Sequence, residues 1–364
     1  SVLALGHHCR PGPRTPLTQP FKPSHCPYED CESHLTETFE YSCFGCYRRK
    51  CDGRHIPRFS CHSCARTFST QTFRVDYRLK KPRLTEPIFN GLVSKVSLRK
   101  LAEALKVRRP TIERRLSLYG DHCRLYHAQK SQKQRQSGEL CEGTWVFDEL
   151  ETFEHNRRFK PLTVAAIVHH DSFFIAGIAV GKMPARMAVN EARREERDAI
   201  AAAEGKRPSE TKRVVTEALS WLAPDKSELH PRDVPGGHLR SDFKTGYPVI
   251  ARAILPNHAL HRTSSKDKRG PSNPLFAINH GFAMMRDTIS RLVRRSWCAS
   301  KHQKRLSQHL WVWVCFRNYV RDWKRTERDI TSAEWHHICP RQTIKRLLQW
   351  RIFEWRETGV PEGR

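Results

Sequence analysis

The chain is poor in acidic residues and has no long apolar run. Asp and Glu total 38 against 65 Lys and Arg in 364 residues, a formal net charge of +27. That imbalance excludes an acidic binding protein and suits one that grips a polyanion. No apolar stretch approaches the roughly 20 residues needed to cross a bilayer, so no membrane partner is expected. The opening Ser1-Val2-Leu3-Ala4-Leu5 is too short for the apolar core of a secretion signal and lacks a basic start. A cytoplasmic protein is expected. Cysteine is plentiful at 13, but the number is odd and eight fall within residues 1–64. Clustering of this kind argues against a disulfide framework and for metal ligation in a reducing compartment.

The charge is unevenly spread: +14 over residues 1–140, −1 over 141–240 and +14 over 241–364. A near-neutral body between two basic flanks fits a catalytic centre held on a nucleic acid at both ends. The pattern divides the chain into a Pro- and Gly-containing lead-in (1–24), a cysteine module (25–80), a helical segment (84–127) and a polar linker (128–142). From Trp145 strands take over, and an α/β body is expected over 143–325, with a C-terminal helical extension over 326–364. Within that body Leu162–Val168 and Phe173–Val180 read as paired strands. They are followed by helices over 187–222, 274–296 and 302–325. Trp311, Trp313, Val314 and Phe316 read as helix core.

Cys26-x4-Cys31 and Cys61-x2-Cys64 form two knuckles, the arrangement that places four thiolates around one Zn²⁺. Phe59 and Phe68 flank the second knuckle and would cover the site. Cys43, Cys46 and Cys51 leave alternatives open: they would replace one pair, or form a second site with His55. Downstream, Leu98, Leu101, Ala102 and Leu105 share one helical face behind a Ser97 cap. After a turn at Lys106–Arg109, Pro110 opens a second helix. Ile112 and Leu116 would face the first helix, leaving Thr111, Arg114 and Arg115 directed outward to a DNA groove.

Asp148 follows the apolar run Trp145-Val146-Phe147, Asp242 ends a second strand-like stretch, and Asn279 opens a later helix. Carboxylates at strand ends with a polar residue on a following helix could hold two divalent metals for phosphoryl transfer. Arg286 lies seven residues beyond Asn279 and about 20° from the same helical face, where it would meet DNA phosphate. Asp287 is the rival third ligand. Glu149, next to Asp148 on a strand, is expected to point to the opposite face and to be structural.

In this order the motifs resemble a group of bacterial insertion-sequence transposases that join a zinc ribbon, a helix-turn-helix and a DDE-type ribonuclease H-like domain. The residues carrying the resemblance begin with Arg58-Phe59-Ser60-Cys61, Thr67-Phe68-Ser69 and Leu98-Arg99-Lys100-Leu101-Ala102. They continue with Phe147-Asp148-Glu149-Leu150, Ser241-Asp242, Arg291-Leu292-Val293-Arg294-Arg295 and Ser300-Lys301. The resemblance covers roughly residues 25–320. It implies a mixed sheet flanked by helices, with Asp148, Asp242 and Asn279 as the catalytic set holding Mg²⁺ or Mn²⁺. Many members have Glu at the third position and some branches have Asn. The implied activity is strand cleavage at transposon ends and transfer into target DNA, performed by a nucleoid-associated homo-oligomer. A neutral amide brings no charge to the metals, which keeps a second reading open: a DNA-binding regulator that no longer cuts.

Overall fold

The computed structural model describes residues 21–36, 38–224, 234–264, 266–268, 270–293, 299–322 and 330–353. Most of the lead-in expected over 1–24 lies outside them, as do Arg294 and Arg295. The described residues fall into two compact units, one running to Thr85 and taking in the chain from Leu348, the other spanning Glu86–Leu347.

The first unit is a small antiparallel sheet of β1 (Tyr41–Arg48), β2 (His55–Cys61) and β3 (Thr67–Ser69) in that spatial order. Its core is Phe59, Phe68 and Phe73 with Cys26, Cys31 and Cys61. The C-terminal stretch differs from the expected helical extension. Only Ser332–Trp335 and Ile344–Leu347 are α-helical among its described residues. Beyond Leu347 the backbone joins the first unit: the amide of Val75 donates to Gln349 O, and the amide of Arg351 to Phe73 O (2.8 Å). Trp350 stacks on Phe21 with ring centres 4.8 Å apart. These pairings supply the backbone partners that a longer amphipathic helix would otherwise have made for itself.

The second unit opens with α1 (Thr85–Leu92), α2 (Leu98–Ala104) and α3 (Arg109–Gln136). Ser97 caps α2 by accepting from the Lys100 amide. Helix α3 continues through Ala128–Gln136, the stretch read as a linker. Its composition is polar, but Tyr126, His127, Ala128, Ser131 and Gln134 are buried. His127 is fully buried, its Nε2 2.9 Å from Ala176 O and its Nδ1 2.9 Å from the Tyr319 hydroxyl. Tertiary packing thus sustains a helix that apolar periodicity does not announce.

Five strands follow, with helices between them: β4 (Thr144–Phe153), β5 (Pro161–His169), β6 (Ile175–Lys182), α4 (Glu191–Glu204) and α5 (Thr211–Ser220). Then come β7 (His238–Ser241), α6 (Tyr247–Ile254), β8 (Ala259–Arg262), α7 (Phe276–Thr288) and α8 (Gln303–Cys315). The sheet is mixed, in the order β6-β5-β4-β7-β8. β5 runs antiparallel to β4 and β6, while β4, β7 and β8 are parallel. Every residue of β5 is buried, as its continuous apolar run requires of a central strand covered on both faces. Helix α5 packs on β5 and β6, α7 on β4 and β5, and α8 on α3. Gly120 permits the last contact, since a Cβ there would strike the backbone of Gln308. Trp311, Trp313 and Val314 are core, as expected. No helix among the described residues is long and apolar enough to cross a membrane.

Burial keeps three core histidines neutral, pushing His127 and His169 down to about 4 and His309 to about 3. An unfolded histidine binds its proton near pH 6.5, so this stability is complete above that pH and is lost as pH falls toward 4. The unfolding free energy from urea titration should therefore drop between pH 7 and 4.5, by up to about 1.4 kcal/mol per pH unit for each histidine. A flat profile over that range would contradict the assignment.

Candidate active site and metal centre

In the first unit the sequence expectation for the outer cysteines holds. The sulfurs of Cys26, Cys31, Cys61 and Cys64 all lie within 4.8 Å of one another. The Cys26–Cys64 and Cys31–Cys61 separations are both 3.8 Å. Zn–S bonds of about 2.3 Å in a tetrahedron require sulfurs about 3.8 Å apart, so the cluster fits a structural zinc. Each knuckle is shaped by its backbone. Cys31 N donates to Tyr28 O in the first, and Ala65 N to Cys61 O in the second. Burial raises the Cys26 and Cys31 thiols. At Cys64 burial opposes ionisation, yet the Arg66 side chain and amide prevail and bring the thiol down to about 6. Arg66 is itself held by Asp30 (2.8 Å).

Cys43, Cys46 and Cys51 are exposed and stand outside the cluster. Cys43 and Cys46 flank an irregularity in the β1–β2 pairing. Metal analysis should show zinc lost in Cys61→Ser and retained in Cys43→Ser. The reverse pattern would move the site to the inner cysteines.

In the second unit, Asp148 sits midway along β4 opposite Ala166 of β5. β7 pairs with β4 only as far as Val146–Arg240, so the edge of β4 beyond it is open where the carboxylates lie. Asp242 directly follows β7, its Oδ1 accepting from the Lys244 amide at 3.0 Å. The two aspartates share one electrostatic site. Burial first, then the negative charges of Asp242 and Glu149, push Asp148 up to about 6, against the pull of the Glu149 amide and Lys244.

Glu149 points to the face opposite Asp148, as strand alternation predicts, sharing it with Phe147 and Thr163, and its partners are structural. Its Oε1 accepts from Thr163 Oγ1 (2.8 Å), and its Oε2 accepts from the Tyr247 hydroxyl (3.0 Å) and from Lys244. The same Tyr247 hydroxyl lies 3.5 Å from Asp148 Oδ1. Because β7 ends before this level, Lys244 and the first residue of α6 can approach both carboxylates. Lys244 and Tyr247 were not singled out in the sequence. Their only signal was closeness in the chain to Asp242.

Asn279 lies half-buried on α7, the helix laid across β4 and β5. Among the described residues its side chain forms no hydrogen bond, either with the aspartates or elsewhere. Its rival Asp287 is exposed and ion-paired with Lys95 (3.0 Å). Arg286 is half-buried on the same helix.

The outward set of α3 needs one correction. Arg114 is exposed and Thr111 half-buried, but Arg115 is 4% exposed, with Nη1 3.2 Å from the Tyr119 hydroxyl. Arg115 stands three residues after Ile112 and four before Tyr119, within the stripe that α3 buries. It is therefore a packing residue, not an outward contact.

Comparison with protein-family models gives no match to this chain, and none is found among curated proteins.

Proposed function

We propose that the chain is a metal-dependent DNA transposase, with a ribonuclease H-like core in the second unit and DNA-recognition elements before it. The observation that carries this reading is the meeting of Asp148 and Asp242 at neighbouring parallel strands, with Glu149 adding a third negative charge. Three antiparallel strands followed by two parallel ones, with helices on both sides, also support it.

A negative, partly buried cluster with one lysine suits a hard divalent cation. Asp148 and Asp242 would hold it, and Asn279 would add a neutral oxygen. When bound, Mg²⁺ or Mn²⁺ would supply Lewis-acid stabilisation of the attacking and leaving oxygens in phosphoryl transfer. Lys244 and Tyr247 hold Glu149 on the opposite face of β4, and the Tyr247 hydroxyl limits how far Asp148 can turn. Arg286 would contact the DNA backbone along α7. The four-cysteine module and the α2–α3 pair, with Arg114 and Thr111 outward, would select the transposon ends; a second DNA, the target, would receive the transferred strand.

Strand cleavage of transposon-end DNA with Mg²⁺ or Mn²⁺ tests the reading. Asp148→Asn and Asn279→Ala should each lower cleavage by about 100-fold or more, the scale of losing a group needed in the transition state. End binding should survive in both. Asp287→Ala should cut normally, and Arg114→Ala should weaken end binding. Loss of cleavage in Asp287→Ala with none in Asn279→Ala would transfer the third ligand. End binding without cleavage by the unaltered chain would favour the regulator.

A further inference from the structure

Beside the candidate metal edge the second unit displays an aromatic ring. Phe243 directly follows Asp242 and is 56% exposed. A single exposed phenylalanine is ordinary on a protein surface, but this one is held in a built setting. Its turn is fixed from both ends. Asp242 Oδ1 accepts from the Lys244 amide (3.0 Å), and the Tyr247 amide donates to Lys244 O (3.2 Å) where α6 begins. A turn closed by its own aspartate sets the backbone of the residue it encloses, and here the enclosed residue is Phe243.

Strand β8 completes the setting. Its last residue, Arg262, pairs with Ser241 in the parallel β7–β8 ladder, and the Thr263 amide donates to Ser241 O (2.9 Å). From there the Arg262 guanidinium lies over the Phe243 ring, 4.6 Å from its centre, and its Nη2 donates to the carbonyl oxygen of Phe243. The cation–π contact and the hydrogen bond together hold ring and guanidinium in one arrangement.

The chain that leaves β8 is cationic and anchored. Lys266 and Lys268 are exposed and flank Asp267. Asn273, 7% exposed, ties this loop to the start of α7: its Nδ2 donates to Lys268 O (3.0 Å), and its Oδ1 accepts from the Leu275 amide (2.8 Å). An open aromatic ring, a planar cation on it and two lysines beyond it suit a ligand that joins a flat apolar surface to negative charge. A nucleobase with its own phosphates has that chemistry.

We propose that Phe243 and Arg262 form a stacking platform for one unpaired nucleobase, with Lys266 and Lys268 holding phosphates of the same strand. Bases inside a duplex are already stacked on one another, so the platform takes a base at a strand end or one drawn out of the helix. That this strand is the one presented to the carboxylates rests on the transposase reading, because the platform adjoins Asp242. The affinity for a single strand rests on the platform itself.

The test uses the full zinc-loaded chain without added Mg²⁺ or Mn²⁺. Fluorescence anisotropy follows binding of a short labelled oligothymidylate, and a strand of equal length lacking its bases is the control. Phe243→Ala should weaken oligothymidylate binding by about tenfold, the scale of one base–aromatic stack, and leave the abasic strand unaffected. Phe243→Leu, apolar but without a flat ring, should match Phe243→Ala, and Phe243→Trp should bind at least as well as the unaltered chain. Lys266→Gln should weaken both strands and reduce the salt dependence by about one phosphate contact. Equal oligothymidylate binding by the unaltered chain, Phe243→Ala and Phe243→Leu would overturn the proposal, as would an equal loss on both strands. Photocrosslinking of a strand carrying 5-iodouracil to the unaltered chain needs no variant to fold. Attachment at Phe243 is expected, and attachment confined to other residues overturns the platform. A crosslink at Phe243 in a chain that never cuts transposon ends keeps the platform and removes its link to transposition. Cleavage with no crosslink there keeps the transposase and removes the platform.

Discussion

A buried carboxylate set beside other acids at one open strand edge is the constraint on which the second unit turns. Asp148 and Asp242 meet where β7 stops short of β4, Glu149 stands on the opposite face, and Lys244 is the lysine held among them. Raising Asp148 to about 6 costs on the order of 2 kcal/mol at neutral pH, allowing for its partial exposure. The surrounding fold withstands that cost. Behind the site β5 is buried along its whole length, and Tyr247 and Thr163 donate to Glu149. A divalent cation would reverse the sign of the interaction, turning mutual repulsion into shared ligation.

The first unit solves a different problem. A three-stranded sheet with a core of a few phenylalanines buries too little apolar surface to be secure on its own. Four sulfurs at zinc spacing would supply what the core lacks once zinc is bound, because metal binding to a folded site is folding free energy. The Leu348–Phe353 strap adds backbone hydrogen bonds and the Trp350–Phe21 stack to the same unit. This explains why so small a module uses residues from far along the chain.

Much of this was legible in the sequence, for identifiable reasons. The knuckle spacing allowed the outer cysteines to be chosen, because two short loops can place four sulfurs on one ion. Strands β5 and β6 were legible because their residues form near-continuous apolar runs, Asp148 because it closes the apolar Trp145–Phe147, and Asp242 because it ends a short strand-like stretch. Helix α3 beyond Tyr126 was hidden, since Ser131 and Gln134 are buried through polar contacts that leave no apolar stripe. Arg115 misled because charge suggests solvent, while its place in the stripe of Ile112, Leu116 and Tyr119 puts it inside. Glu149 was legible as structural because alternation along β4 turns it to the face of Phe147, away from Asp148. Lys244 and Tyr247 depend on chain crossings that no local pattern encodes.

Whether the Asp148–Asp242 edge binds a hard cation decides between a metal-dependent enzyme and a protein that only binds DNA. Calorimetric titration of Mn²⁺ into the full zinc-loaded chain measures this without DNA or turnover. Saturable binding is predicted in the unaltered chain, with its loss in both Asp148→Asn and Asp242→Asn while urea unfolding stays cooperative. Equal Mn²⁺ binding by all three proteins, or none by the unaltered chain, would contradict the metal-dependent enzyme.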